Sequence, residues 1–203
     1  MDKTTIYNMA IGLVGGNKVL SPADESVEAE ECNIYYDPAR RFCLESRDWT
    51  FAAGTRALAQ DATPASTEFA NSFTLPSDCL VVRQVSDNPD LLYPIIYQKD
   101  GNQIVTDSGT VYIKYTKNIT TTTLFSPTFQ VAVAHKLAEF ISPVLTRDKA
   151  LKRTLSAESE ELLEGGGAID GMQGSPKRAF ASRLLRARFR GYGSTSYGLT
   201  NKV

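Results

Sequence analysis

Apolar residues recur every three to four positions between Pro22 and Ala53, a pattern typical of a helix with one buried side. Charged residues fill most of the opposite side. The segment closes on Trp49 and Phe51, and burying aromatic side chains of this size stabilises a fold by about 2–3 kcal/mol each. We expect this helix to organise the core, with the two aromatics as a plug where it ends. The apolar stripe consists of Val27, Cys32, Ile34, Tyr35, Ala39, Phe42, Cys43 and Leu44.

Pro38 lies in the middle of this pattern and allows two interpretations. A proline inside a helix removes one hydrogen bond and costs about 3 kcal/mol unless the helix bends there. The segment could instead form two helices, with Asp37 capping the second and Pro38 at its first position. Because the apolar stripe keeps its phase across Pro38, the sequence favours one kinked helix.

Three further helices are predicted from capping residues and helical spacing. Thr4 or Thr5 can cap a short first helix, which ends at Gly15. Ser126 and Pro127 form a strong helix start, followed by apolar residues as far as Leu145. Thr146 or Asp148 opens a last helix, and the glycines at 165–167 are expected to end it.

Alternating apolar and polar residues between these helices predict a small antiparallel sheet or barrel. The polar stretch from Arg56 to Asn71 is expected to be a linker. Asp100 and Gly101 form a hairpin signal. We expect Val81, Ile95 and Ile113 to face the interior of the sheet. The predicted strands cover residues 80–85, 93–97, 103–106 and 111–115.

Together these patterns predict an α+β fold: a bundle of about four helices, an inserted small antiparallel β-sheet or barrel domain, and an extended basic C-terminal arm. Residues 1–56 form the N-terminal part of the helical core and 57–124 the linker and β domain. Residues 125–168 form the C-terminal part of the core and 169–203 the flexible arm. The side chains expected to form the core and its plug are Phe42, Trp49, Phe51, Phe129, Leu137 and Phe140.

The overall charge of −1 hides a strong asymmetry along the chain. Residues 176–203 contain seven basic and no acidic side chains, a charge of +7; the remaining 15 basic against 23 acidic residues give residues 1–175 a charge of −8. Phe180 and Leu184 share one helical face, and Arg183, Arg186 and Arg190 share a neighbouring one. This pattern favours a docking arm for an acidic, partly apolar groove. A solvated disordered end and an arm that contacts nucleic-acid phosphates remain alternatives. The predicted docking residues are Lys177, Arg178, Phe180, Arg183, Leu184, Arg186, Arg188 and Arg190.

The sequence offers little that is typical of catalysis, metal binding or membrane insertion. His135 is the only histidine and lies within a predicted helix, where a structural role is favoured. Cys32, Cys43 and Cys79 form no pair with zinc-site spacing, and we expect reduced thiols. No run approaches the roughly 18 apolar residues of a membrane span, and the N-terminus has no secretory pattern. We expect no cofactor, no membrane insertion and no enzymatic activity.

A series of short motifs between Ile6 and Leu145 resembles the tail tubular protein A family, the head-to-tail adaptors of short-tailed phages. One helix contains Arg41-x-x-Leu44 and leads into Trp49-x-Phe51-Ala52. A segment Leu75-Pro76-Ser77-Asp78-Cys79 then leads into the β region, which contains Ile104-Val105-Thr106-Asp107. The last motif is Phe125-Ser126-Pro127 at a helix start.

The resemblance implies a structural virion protein that forms a ring, twelve-fold in the family, between the portal of the capsid and the tail nozzle. Such a ring seals the DNA-filled capsid and gives the genomic DNA a channel. The implied partners are other copies of the chain, the portal protein, the nozzle protein and the passing DNA. The implied location is the virion neck, after assembly in the host cytoplasm, and the basic arm would dock on the portal.

Two other classes of function stay open at this point. A nucleic-acid-binding protein would use the basic C-terminal tail for phosphate contacts, although the body is acidic and no known reader motif is present. A carbohydrate-active tail hydrolase would use paired carboxylates on the inserted sheet, although no spacing singles out such a pair.

Overall fold

The computed structural model describes residues 2–62 and 68–171, and in this part of the chain four α-helices combine with two three-stranded antiparallel sheets. This confirms the predicted α+β class. The residues of the predicted docking arm, from 176 onward, lie outside the described part of the chain. The helices are α1 (Lys3–Val14), α2 (Val27–Ser46), α3 (Pro127–Leu145) and α4 (Lys149–Gly171). The strands are β1 (Ala53–Leu58), β2 (Asn71–Thr74), β3 (Cys79–Ser86), β4 (Gln98–Asp100), β5 (Gln103–Thr106) and β6 (Val111–Lys117).

The first helix begins at an aspartate rather than at a threonine. The carboxylate of Asp2 accepts a hydrogen bond from the backbone N–H of Thr5 at 2.9 Å, which satisfies a donor that the helix cannot pair internally. Thr4 and Thr5 lie inside the helix instead of capping it. Gly15 ends α1 in a left-handed conformation with φ of 80°, as predicted, because glycine adopts that conformation at little cost.

Helix α2 runs through Pro38 without a break, which confirms one helix rather than two. Its buried face differs from the predicted stripe: Val27, Ile34 and Phe42 are exposed, whereas Ala29, Cys32, Tyr36, Ala39, Arg40, Cys43 and Leu44 are buried. The true face follows steps of three and four residues from Ala29. At 100° per residue Val27 and Ile34 fall nearly opposite that face and Phe42 falls to one side of it, so the predicted stripe was wider than the face that is buried.

Phe42 was expected in the core, and this prediction is wrong. Its side chain is 43% exposed at the edge of the bundle. The ring lies 4.0 Å from the buried ammonium of Lys136 on α3, the geometry of a cation–π contact. Phe42 therefore covers a buried charge and does not fill the interior.

Helix α3 occupies the centre of the helical body and packs against each of the other three helices. It begins as predicted, with Ser126 as the cap and Pro127 at the first turn. Phe129 and Leu137 are completely buried, while Phe140 is half-buried against the ring of Tyr35. A helix surrounded in this way has few exposed positions, which accounts for its high apolar content.

Helix α4 continues through the glycines at 165–167, so the predicted stop is wrong. A Cβ atom on Gly166 would lie 2.8 Å from Cγ2 of Thr128 and 3.1 Å from Cη2 of Trp49. The missing side chain allows α4 to approach the helical core closely, and this packing outweighs the low helix propensity of glycine. The helix also crosses the boundary predicted after residue 168.

The six strands form two sheets with the orders β1-β6-β3 and β2-β5-β4. Strand β1 lies partly in the predicted linker, so that interpretation was wrong for Arg56 to Leu58. It pairs antiparallel with β6, from Ala53 opposite Thr116 to Leu58 opposite Val111. The predicted strand at 93–97 is absent, and only Pro94 makes an isolated bridge, to Ser86. Proline lacks the N–H that a continuous ladder needs.

The β region has a hydrophobic core separate from that of the helices. As predicted, Ile113 is completely buried in this core, and the partly buried Ile95 packs against the core. Val81 does not belong to it, because the register of β3 shifts between Cys79 and Val81 and again between Val82 and Gln84. The members of this core are Phe73, Leu75, Val85, Ile104, Val111, Ile113 and Tyr115.

Candidate functional site

A cluster of four aromatic rings lies in the helical core, where the chain passes from α2 to β1 and where α3 begins. Trp49 and Phe129 meet with ring centroids 5.1 Å apart, and Phe51 lies 5.0 Å from Phe129. Phe125 completes the cluster at 4.9 Å from Phe129. Trp49 is fully buried, and its indole N–H donates to the carbonyl of Cys43 at 2.8 Å, whereas Phe51 is half-buried. Helix α2 ends at Ser46, before the aromatic pair, so the plug follows the helix and fixes the path into β1.

A buried arginine ties α2 to the segment that follows β6. The Arg40 guanidinium donates to the side-chain oxygen of Asn118 at 2.8 Å and to the carbonyl of Ile119 at 2.5 Å. It also pairs with the carboxylate of Asp37 one turn earlier in α2. The sequence pattern placed Arg40 on the solvent side, and that expectation was wrong. The only sequence signal was the acid three residues before it, which allows an intrahelical pair.

A second arginine caps the carboxyl end of α2 from the sheet. Nη2 of Arg83 donates to the carbonyls of Leu44, Glu45 and Arg47 at 3.0, 2.8 and 2.6 Å. Its Nε donates to the hydroxyl of Thr116 on the neighbouring strand at 2.8 Å. Carbonyls at a helix end have no partner within the helix and carry partial negative charge, so a cation binds there favourably. No pattern in the sequence identified this contact.

The carboxyl end of α4 is hydrogen-bonded to the segment between α2 and β1. The buried carboxylate of Asp170 accepts hydrogen bonds from the backbone N–H of Thr50 and, at 2.9 Å, from its hydroxyl. Thr50 lies between the two aromatics of the Trp49-x-Phe51-Ala52 motif. We call this region the junction: it includes the ends of α2 and α4, the starts of β1 and α3, and the motif residues at 49–52 and 125–127, whereas the motif residues at 75–79 and 104–107 lie in the β region.

The histidine and the three cysteines pack and form hydrogen bonds within the fold, and they do not gather at one site. Nδ1 of His135 lies 3.0 Å from the carbonyl of Val131, and its Nε2 lies 3.9 Å from a carboxylate oxygen of Glu158. Burial raises the pKa of the Cys32 and Cys43 thiols to about 12 each, and it also raises that of Cys79. These thiols are protonated at neutral pH, so they are poor nucleophiles and poor metal ligands.

Residues 2–62 and 68–171 contain neither a candidate metal site nor a helix suited to span a membrane. No group of three or more His, Cys, Asp and Glu side chains in these ranges could hold a metal ion. No helix in them combines the length and the hydropathy that a membrane span needs. Asp78 lies in a turn, in which the N–H of Cys79 donates to the carbonyl of Pro76 at 2.9 Å.

Two open grooves of opposite charge lie along the α3–α4 hairpin. The first, of about 480 Å³, is lined by Pro143, Arg147, Asp148, Lys149, Lys152 and Arg153. The second, of about 500 Å³, is lined by Thr128, His135, Glu158, Glu161, Leu162, Gly165 and Gly166. The lining of the first groove includes four basic side chains, and that of the second includes two acidic ones.

No protein-family model matches the sequence, and no curated protein matches it either.

Proposed function

We propose that this protein is a structural head-to-tail adaptor of a short-tailed phage, assembled as a ring of twelve copies between the portal and the tail nozzle. The observation that supports it most directly is the position of the motif residues. Trp49, Phe51 and Phe125 meet in one aromatic cluster, and Thr50 within the same motif binds Asp170. Two of the segments that resemble the adaptor family, at 49–52 and 125–127, thus meet where the chain passes from the helical body into β1.

A rigid junction suits a ring subunit for a geometric reason. A closed ring needs two different surfaces on each subunit, held at a fixed angle so that the rotation closes. Arg83 on β3 binds the end of α2, Arg40 on α2 binds the segment that follows β6, and the aromatic cluster fixes the chain between α2 and β1. Such a junction resists bending, so surfaces on the helices and on the sheets keep one relative orientation.

The C-terminal segment supplies the proposed contact with the portal. Residues 176–203 carry seven positive charges, together with apolar residues at helical spacing. An acidic groove on the portal with apolar pockets would bind both features. In this proposal the protein resides in the virion neck after assembly in the host cytoplasm, and the genomic DNA passes through its ring.

The proposal is tested by truncation and by particle mass. Removal of residues 176–203 should leave the melting temperature nearly unchanged and abolish attachment to DNA-filled capsids. A full-length variant with Arg183, Arg186 and Arg190 changed to Gln is the matched control, since it keeps the length of the arm and lowers its charge. It should attach weakly.

Imaging of the purified protein alone and with a portal should show rings. If the truncated protein still closes filled capsids and recruits the nozzle, the arm is not the docking element. A protein that stays monomeric with the portal, and binds naked duplex DNA with a steep dependence on salt, would instead favour the nucleic-acid-binding alternative.

A further inference from the structure

Charge is divided along α4 in an unusual way. Its first part carries Lys149, Lys152 and Arg153, and Arg147 precedes it in the turn after α3; we call these four residues the basic corner. Its middle part carries Glu158, Glu160, Glu161 and Glu164, which we call the acidic stretch. All eight side chains are exposed. At 1.5 Å per residue the centres of the two groups on the helix lie about 14 Å apart.

This order of charges opposes the dipole of the helix. The amino end of a helix carries partial positive charge, so acids stabilise it and cations destabilise it. The first turn of α4 contains no acid and its last turn no base. Only Asp148 offsets the cations, by accepting from the N–H groups of Ala150 and Leu151 at 2.7 and 3.3 Å. The stability of α4 itself therefore does not explain the pattern.

Six of these eight charges have no ionic partner among the residues that the structure describes. In residues 2–62 and 68–171 the four cations of the basic corner form no ion pair, and neither do Glu160 and Glu161. Glu164 binds Arg47 at 3.3 Å, and Glu158 faces His135. Each group also borders one of the two grooves, so a partner surface can enter beside it.

We propose that the basic corner of one copy docks on the acidic stretch of the next copy. The contact is head-to-tail, because two different surfaces meet, and repeated contacts of this kind form a ring when the rotation between neighbouring copies closes. The inference rests on the proposed function in that it names the surfaces that join the ring subunits.

A second copy fits these surfaces better than a nucleic acid does. Charges about 14 Å apart are largely screened at physiological salt, where the screening length is about 8 Å, so the acidic stretch would repel a duplex bound at the corner only weakly, and the comparison depends on which partner satisfies both groups. Residues 1–175 also carry a charge of −8. A nucleic acid would leave the acidic stretch without a partner, whereas a second copy supplies partners for both groups.

Charge reversal in the full-length chain tests the inference by sedimentation velocity at low and physiological salt. The parent should self-associate more weakly as salt rises. Lys152→Glu with Arg153→Glu reverses the corner, and Glu160→Lys with Glu161→Lys reverses the stretch. Each double variant alone should associate at least about tenfold more weakly, because like charges then face each other. Melting curves establish that the variants are folded.

Two recombinations make the test specific for a head-to-tail contact. An equal mixture of the corner and stretch variants should regain association, since each reversed surface then meets a complementary one. The chain that carries all four changes should regain it as well. Lys18→Glu with Lys99→Glu, at exposed sites elsewhere, changes the net charge as much as the corner variant does and should associate like the parent.

Several outcomes would overturn the inference. One is a parent that stays monomeric at low salt and high concentration, and another is a corner variant that associates like the parent. Loss of association in the stretch variant alone would point to another occupant of that surface, such as residues 172–203. A corner variant that no longer binds a short DNA duplex but self-associates like the parent would show that the basic corner binds phosphates instead of a second copy. Association that is insensitive to every reversal, with portal binding intact, would contradict this interface while leaving the adaptor proposal standing.

Discussion

The rings of Trp49 and Phe129 pack nearly perpendicular to each other, with an interplanar angle of 76°. Trp49 follows α2 and Phe129 lies in the first turn of α3, so one contact joins segments that are 80 residues apart in the chain. Edge-to-face packing of this kind adds about 0.5–1.5 kcal/mol to the stability that burial alone provides.

We expect Trp49→Ala to lower the free energy of unfolding by about 3–5 kcal/mol, because it opens a cavity against Phe51 and Phe129. Denaturant titration followed by circular dichroism measures the change. Ile96→Ala is the control: Ile96 is 84% exposed, and its loss should change stability by less than about 0.5 kcal/mol. A Trp49→Ala protein that melts like the parent would show that the aromatic cluster does not hold the junction.

Two neighbouring arginines on α2 provide a matched comparison of burial. Arg40→Met removes the N–H groups that donate hydrogen bonds to Asn118 and Ile119. We expect the free energy of unfolding to fall by about 2–4 kcal/mol, because the two acceptors are left without these partners. Arg41 is exposed and forms no ion pair within residues 2–62 and 68–171, so Arg41→Met should cost less than about 0.5 kcal/mol. Equal effects of the two changes would contradict the anchoring role of Arg40.

The sequence predicted those features of the fold that local patterns determine. The Ser126–Pro127 start of α3 and the Asp100–Gly101 hairpin depend on a few adjacent residues, and both occur. The single helix across Pro38 also followed from the phase of its apolar residues. Local capping and spacing rules were sufficient in these cases.

Features that depend on distant partners could not be predicted in this way. Arg83 looks like an ordinary strand residue until α2 brings its last carbonyls within reach, and Arg40 looks solvated until residues 118–119 return to it. Strand β1 lacks the β-branched residues typical of a strand, apart from Thr55, and forms by pairing with β6. The charged surfaces of α4 were visible as residues, but their exposure and their position beside two grooves required the structure.

The buried thiols predict a loss of stability at alkaline pH. In the unfolded chain Cys32 and Cys43 lose their protons near the ordinary pKa of 9.0, whereas burial holds both pKa values at about 12 in the folded protein. Between these values the unfolded state binds fewer protons, so the free energy of unfolding falls as pH rises from about 9 to about 12. Below pH 9 the contribution of both thiols is complete.

Denaturant midpoints measured from about pH 8 to about pH 11 should show this decline. Cys32→Ala with Cys43→Ala lowers overall stability but should make the decline shallower. Cys79→Ala is the control, because Cys79 is only half-buried and should alter the slope less. A thiol reagent should label Cys79 faster than the other two in the folded protein, and rapid labelling of Cys32 would be inconsistent with its burial.

His135 is expected to contribute packing and a hydrogen bond rather than catalysis. Its Nδ1 lies 3.0 Å from the carbonyl of Val131, and a glutamine amide can reach the same carbonyl. His135→Gln should therefore assemble normally, support infection near the parent level and change stability by less than about 1 kcal/mol. His135→Ala tests the packing contribution alone. A strong loss of infectivity with intact assembly would indicate a chemical role for the imidazole.

The adjacent glycines at 165 and 166 separate helix propensity from packing within one turn of α4. A Cβ at Gly165 would meet nothing within 4 Å, so Gly165→Ala should stabilise the protein by about 0.5–1 kcal/mol through the better helix propensity of alanine. Gly166→Ala gains the same propensity, but its methyl group would press on Thr128 and Trp49. We expect a net loss of about 1–3 kcal/mol there, as for other overpacked sites.

A double-mutant cycle identifies the cause of that loss. Thr128→Ser removes the Cγ2 atom that a Cβ at residue 166 would meet at 2.8 Å, so it should restore part of the stability lost in Gly166→Ala. The same change combined with Gly165→Ala should be additive, because a Cβ at residue 165 would not contact Thr128. If both alanine variants were stabilised equally, α4 would not approach Trp49 as closely as the structure shows, and the glycines would have no packing role at the junction.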